Sequence, residues 1–167
     1  MKAQPRQGRE LDRIDRNILR LLQGDGRMSV TDLAERVGLS VTPCSERVKR
    51  LERDGFILGY HARLNPQALG QSLLVFVEIR LSAKSGTIFE EFRREVRKLP
   101  YVLECHLVSG EFDYLIKARI PGMEAYRKLL GDMLLALPGA RDSRSYIVME
   151  EIKESLVLQV PEPEPRR

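Results

Sequence analysis

The hydrophobic residues of this chain change their period near residue 72, and that switch constrains the fold more than any other feature. Before it, apolar positions recur at helical spacing. After it, they alternate as on strands, with two further helical stretches interposed. In 167 residues such a switch reads as an all-helical first domain followed by a mixed one, an α+β organisation.

The first half resolves into three helices. Asp12 followed by Asp15 is a cap-plus-acid start, and Ile14, Ile18, Leu21 and Leu22 follow on one face until Gly24-Asp25-Gly26. A second helix opens at Ser29, with Asp32 three residues on, and closes at Gly38, where a residue without Cβ can turn left-handed. After the turn Gly38-Leu39-Ser40 a third runs to about Asp54, with Pro43 in its first turn, where a missing N–H costs nothing. Cys44, Val48 and Leu51 make its inner face. Residues 56–60 look strand-like, and Asn65-Pro66 through Gly70 reads as a linker.

In the second half the expected order is a strand at 72–81, a helix at 87–99, strands at 102–109 and 112–120, a helix at 123–137 and a strand at 143–153. This is the ferredoxin-like βαββαβ pattern. Both its helices cover one face of the sheet. Leu74 and Phe76 in the first strand, and Tyr146, Ile147, Val148 and Met149 in the last, suggest a second apolar face that another copy of the chain would cover.

The expected organisation is therefore an N-terminal arm at 1–10, a helix-turn-helix domain at 11–64, a linker at 65–71 and a ferredoxin-like domain at 72–154. The Pro- and Glu-rich residues 155–167 read as a disordered tail.

Charge follows the same division. Residues 1–64 carry 13 Lys+Arg against 9 Asp+Glu, whereas residues 65–167 carry 15 of each, so the net +4 lies in the helical half. A basic three-helix module with a tight glycine turn is the pattern of a helix-turn-helix. Ser40, Thr42, Pro43, Ser45, Arg47, Lys49 and Arg50, on or beside the third helix, are the candidate DNA contacts, as arginine and lysine suit guanine edges and phosphate and hydroxyls suit either. The bland alternative is a three-helix bundle with a solvated charged face, since Glu46, Glu52 and Asp54 dilute the stripe.

Other chemistry finds little support. Cys44, Cys105, His61 and His106 do not fall at metal-ligand spacing, and two cysteines build no disulfide framework, which suits a reducing cytoplasm. There is no nucleophile elbow, phosphate loop or dinucleotide fingerprint, so an enzyme is not expected and neither metal nor cofactor is required. No apolar run approaches membrane-spanning length, and the polar N-terminus lacks a secretory h-region.

Specific segments then bear a resemblance. Leu11-Asp-Arg-Ile-Asp-Arg-Asn-Ile-Leu19, Arg36-Val-Gly-Leu-Ser40, Thr42-Pro-Cys44, Glu46-Arg47 and Arg50-Leu-Glu-Arg53 resemble the Lrp/AsnC family of transcriptional regulators. So do Leu73-Leu-Val-Phe-Val-Glu-Ile79, Glu104-Cys-His-Leu-Val-Ser-Gly110 with Phe112-Asp-Tyr-Leu115, and Ala125-Tyr-Arg-Lys-Leu-Leu-Gly131. The likeness runs over residues 9–154. It departs at both ends and at Val41 and Ser45.

The resemblance implies a winged helix-turn-helix joined to an effector-sensing RAM domain. It also implies homodimers assembling to octamers on double-stranded DNA, in the cytoplasm of a bacterium, and an effector such as leucine bound between dimers. By position it implies Leu107, Ser109, Gly110, Asp113, Met123, Leu135, Tyr146, Ile147 and Val148 as effector residues. There Asp113 would answer an ammonium, backbone N–H groups near Gly110 a carboxylate, and Leu107, Met123 and Leu135 an alkyl chain. From spacing alone, Asp113 could equally sit on a hairpin surface, and Leu107, Leu135 and Val148 could pack a subunit interface. Two further readings are a local regulator of one amino-acid catabolic operon with a different effector, and an architectural DNA-binding protein.

Overall fold

The structure, a computed structural model, describes residues 10–162, apart from the side chains of 132–135. It divides into two compact units: the chain up to Arg63 together with the segment from Glu154 onward, and Leu64–Lys153.

The first unit holds α1 (Arg13–Gly24), α2 (Val30–Val37) and α3 (Val41–Arg53). Its starts are fixed by side chains that take up N–H groups the helix leaves unpaired. The Asp12 carboxylate accepts from the Asp15 N–H at 2.8 Å. Ser29 Oγ accepts from the Asp32 N–H at 3.1 Å and donates to the Asp32 carboxylate at 2.7 Å. Gly38 takes φ 72° and closes α2. Ile18, Leu33, Ala34, Cys44 and Leu51 form a fully buried core, against which Val37, Val48, Phe56 and Ile57 pack. Residues 56–60 join no sheet; the N–H groups of Phe56 and Ile57 both donate to the Leu51 carbonyl.

Part of the segment read as a disordered tail is held against α1. Arg16, Arg20 and Gln23, one face of that helix, bond the carbonyls of Pro161 (2.6 Å), Val160 (3.2 Å) and Leu158 (3.1 Å). Gln23 also accepts from the Leu158 N–H, and Arg20 pairs with Glu162. Backbone carbonyls, which no hydropathy pattern displays, make most of these contacts. Residues 163–167 and the arm up to residue 9 lie outside the described part.

The second unit is β1 (Leu73–Leu81), α4 (Gly86–Val96), β2 (Val102–Leu107), β3 (Tyr114–Ile120), α5 (Met123–Ala136) and β4 (Ala140–Ile147). The antiparallel sheet has the order β2-β3-β1-β4, the ferredoxin-like arrangement. Val75, Val77, Ile79, Ile116 and Ile120 project from one face into a core completed by Phe92, Val96 and Leu137. Within it Tyr114 stacks on Phe92, with ring centroids 3.9 Å apart and planes 8° from parallel.

The last strand begins and ends earlier than its hydrophobicity suggests. Gly139, at φ 74°, turns the chain where an added Cβ would meet Ile88 Cγ2 at 2.7 Å, and β4 starts at the next residue. Val148 and Met149 therefore fall past the strand.

Nor is the outer sheet face uniformly apolar. Register places Leu74, Phe76, Leu115 and Tyr146 there among Glu78, Glu104, His106, Lys117 and Arg119. Lys117 pairs with Glu104 at 3.1 Å, the Tyr146 hydroxyl donates to Glu78 at 3.0 Å, and Arg119 pairs with Glu151. Alternation in β1 could not reveal the charges facing it from β2 and β3.

Candidate DNA-binding and effector sites

α2, the Gly38 turn and α3 form the helix-turn-helix. Ser40, Thr42 and Pro43 are exposed at the start of α3, Lys49 is exposed one turn and more further on, and Ser45 and Arg50 are half-buried. Ser40 is the N-cap of α3 but makes no side-chain capping bond, unlike Asp12 and Ser29 on the preceding helices. The first N–H groups of α3 thus take no side-chain cap from the exposed Ser40, and a helix start of this kind favours an anion.

Arg47 is placed differently from its neighbours. Its guanidinium donates to Asp12 at 2.6 Å and to Asp15 at 2.8 Å, and Asp15 is fully buried. Arg50 lies 3.6 Å from the same Asp15 carboxylate. Burial alone would raise the Asp12 pKa, but the Asp15 N–H and Arg47 stabilise the charged form and leave it below its ordinary value. Arg47 therefore ties α3 to the start of α1. Among the DNA candidates the structure gathers Ser40, Thr42, Pro43, Lys49 and the flank of Arg50 on the open side, and gives Arg47 an internal role.

The effector candidates fall into two groups. Leu107, Ser109, Gly110 and Asp113 lie together where β2 ends and β3 begins. Gly110 has φ 140°, and the Val108 N–H donates to the Asp113 carbonyl at 3.0 Å. Met123 follows the far end of β3, and Tyr146, Ile147 and Val148 sit beside Phe76, Val75 and Leu74 near the start of β1. Leu107 and Asp113 lie at the level of the Ile79–Tyr114 pair. Tyr146 and Ile147 lie three and four residues along β1 from it, about 10–13 Å away at about 3.3 Å per residue. Met123 lies past the Leu73–Ile120 pair, roughly 20 Å away. Across that span they do not line one pocket within a single chain. The side chain of Leu135 lies outside the described part.

Asp113 is the best-defined member, and it is only 4% exposed. Its backbone N–H donates to the Ile79 carbonyl at 2.9 Å, and its Oδ2 accepts from the Leu81 N–H at 2.8 Å. The carboxylate thus takes up a β1 donor just beyond the last β1–β3 pair. Its other oxygen lies 2.9 Å from Lys84 Nζ, and the Lys84 side chain is 66% exposed. Burial would raise the Asp113 pKa, but the Leu81 N–H and Lys84 outweigh it and hold the pKa below the ordinary value. An ammonium on a mobile stem, seated on a buried carboxylate, is what a ligand ammonium could replace. Sequence pattern gave no sign of Lys84, which lies in the loop after β1.

Among the described residues no group of three or more His, Cys, Asp or Glu could hold a metal ion, and no helix is long and apolar enough to cross a membrane.

A helix-turn-helix unit joined to a ferredoxin-like unit that buries a carboxylate beside a loop is the build of a ligand-responsive DNA-binding regulator. Comparison with known proteins makes this specific. Residues 11–57 match the model for the winged helix-turn-helix DNA-binding family, and residues 74–158 match the Lrp/AsnC ligand binding domain. The chain belongs to the Lrp/AsnC family of transcriptional regulators.

It is 61% identical over 153 residues to the leucine-responsive regulatory protein of Escherichia coli K12, covering 92% of this chain and 93% of that protein. The protein of the same name from Serratia marcescens is 63% identical over 150 residues, covering 90% of this chain and 92% of the relative. Among solved structures, a transcriptional regulator of Neisseria meningitidis in complex with L-methionine superposes with a TM-score of 0.84 at 38% identity, covering 90% of this chain and 97% of that one. A feast or famine regulatory protein of M. tuberculosis complexed with L-methionine gives 0.82 at 33%, covering 91% of this chain and all of that one (100%).

Proposed function

We propose that this protein is a sequence-specific regulator that responds to leucine or a similar small amino acid by rearranging its oligomer, and that it controls genes of amino-acid metabolism. The observation that carries the effector half of this reading is Asp113, a buried carboxylate whose one ion pair, among the described residues, is with the exposed and replaceable Lys84, Arg80 acting on it only from further off. The amino acid's ammonium takes the place of Lys84 Nζ, and backbone N–H groups around Ser109 and Gly110 receive its carboxylate.

The separation of the two effector groups supports a site shared between copies. Leu107, Ser109, Gly110 and Asp113 come from one chain, and Met123, Leu135, Tyr146, Ile147 and Val148 from another. An effector bound there acts on the arrangement of subunits because it touches both. The assembly in this reading is a dimer that builds a higher oligomer, the octamer implied by the resemblance, in the cytoplasm. DNA is met by Ser40, Thr42, Pro43, Ser45, Lys49 and Arg50, and binding strength is multiplied over the copies engaged.

A second reading differs only in the effector. Two similar solved structures hold L-methionine, which favours an unbranched sulfur-containing side chain over leucine. A thermal-shift panel of the twenty amino acids, read with oligomer mass, separates the two. Leucine or methionine should raise the melting temperature of the wild type and change its mass, and neither should do so for Asp113→Asn. An effector response retained in Asp113→Asn removes Asp113 from the site.

A further inference from the structure

Between α4 and the edge strand β2 lies a cleft of about 360 Å³ that shares only Leu107 with the effector candidates. Val96, Leu103 and Leu107 are among its apolar lining residues. Arg93 on α4 and Arg97, the residue that caps the helix end, also line it, as does the buried Tyr114.

The Tyr114 side chain is almost wholly buried, at 2% exposure, yet its hydroxyl has no hydrogen-bond partner among the described residues. Arg93 lies beside that hydroxyl, and its charge and N–H oppose the upward pull of burial, but a guanidinium only donates, so the Tyr114 O–H donor is left without an acceptor among the described residues. A buried hydroxyl left unpaired is costly, and Phe in its place would make the same stack on Phe92 without that cost.

The polar side chains turned to the cleft are donors. Arg93 shares its guanidinium with Glu90 at 2.7 Å, and Arg97 has no ion pair among the described residues. Glu104 also borders the cleft, but its carboxylate pairs with Lys117 and His106, both at 3.1 Å, on the outer sheet face. No free carboxylate is left to receive an ammonium.

We infer that this cleft is a second ligand site, one that takes a small aliphatic 2-oxo monocarboxylate rather than an amino acid. The carboxylate lies between Arg93 and Arg97, the 2-oxo oxygen accepts from the Tyr114 O–H, and the alkyl chain rests on Val96, Leu103 and Leu107. The site at Asp113 reads an ammonium. This one reads its absence, so one domain would sense an amino acid and its deaminated counterpart separately.

The test is isothermal titration calorimetry on the full chain with 4-methyl-2-oxopentanoate, and with L-leucine in parallel. The wild type should bind the oxo acid. Tyr114→Phe should melt no lower than the wild type and bind at least about fivefold more weakly, and the double variant Arg93→Gln, Arg97→Gln about tenfold or more. Asp113→Asn should bind the oxo acid as the wild type does, which keeps this site distinct from the amino-acid site. The inference is overturned if the wild type gives no binding heat at tens of millimolar oxo acid, or if Tyr114→Phe and the arginine pair bind it unchanged. A strongly destabilised Tyr114→Phe would also overturn it, because the hydroxyl would then have had a partner.

Discussion

Among the described residues each unit of this molecule buries one carboxylate, and the two are held in opposite ways. Asp15, in the helical unit, faces the half-buried Arg47 at 2.8 Å, whose planar guanidinium also bonds Asp12, with the more exposed Arg50 further off at 3.6 Å. Asp113, in the sheet unit, keeps one oxygen on a backbone N–H and gives the other to Lys84, a mobile side chain in contact with solvent. A buried charge with rigid partners belongs to the scaffold. One whose partner can leave is a candidate binding site. The contrast explains why Arg47, which looks like a DNA contact from its position, is a clamp, and why Asp113 is the residue proposed to receive an ammonium.

The comparison can be broken most forcefully at Arg47. Arg47→Ala takes the 2.8 Å cation away from the buried Asp15, and should cost about 3 kcal/mol, the scale for removing one partner of a buried pair. Thermal unfolding measures the loss, and hydrogen exchange should place it in α1 and α3. A neutral result would mean that Asp15 does not depend on this clamp.

Acid should act on both units. Asp12 and Asp113 have folded pKa values below the ordinary 3.8, so each adds stability that is complete above 3.8 and is lost as pH falls through the lower folded value. Denaturant midpoints should therefore fall steeply below pH 3.8, and Asp113→Asn should flatten part of that fall.

A smaller effect is expected on the open side of α3. Among the described residues Lys49 pairs only with Glu46, at 3.3 Å on the same helix, and both are well exposed. Lys49→Ala should leave stability within about 0.5 kcal/mol and weaken DNA binding. The salt dependence should fall by about one ion for each copy engaged, read from anisotropy titrations at several salt concentrations.

Smallest in stability is Lys84→Gln, under about 1 kcal/mol because the lysine is exposed. Yet it removes the competitor for Asp113, so the concentration of amino acid needed for half response should drop.

Much of this architecture is legible in the sequence because local rules and tertiary packing agree. Asp12, Ser29 and Gly38 mark helix ends that the structure places at the same residues, and the alternation of Val75, Val77 and Ile79 gives the inner sheet face. What escapes is set by distant parts of the chain. Arg47 reads as an outward cation until Asp12 and Asp15 are brought against it from a separate helix. The charges opposite Phe76 come from β2 and β3, and no periodicity in β1 announces them. Residues 158–162 look disordered by composition, but backbone carbonyls decide their place. The candidate effector residues came through family resemblance. Their separation along the sheet needed the strand register.

The most direct measurement is the affinity of the full chain for a duplex enriched from a random-sequence pool, followed by anisotropy with and without L-leucine or L-methionine. The account predicts that one of these shifts the wild-type affinity, while Asp113→Asn binds the duplex as tightly as the unliganded wild type and does not respond. A wild type indifferent to every one of the twenty amino acids, or an Asp113→Asn variant that responds as the wild type does, would contradict it.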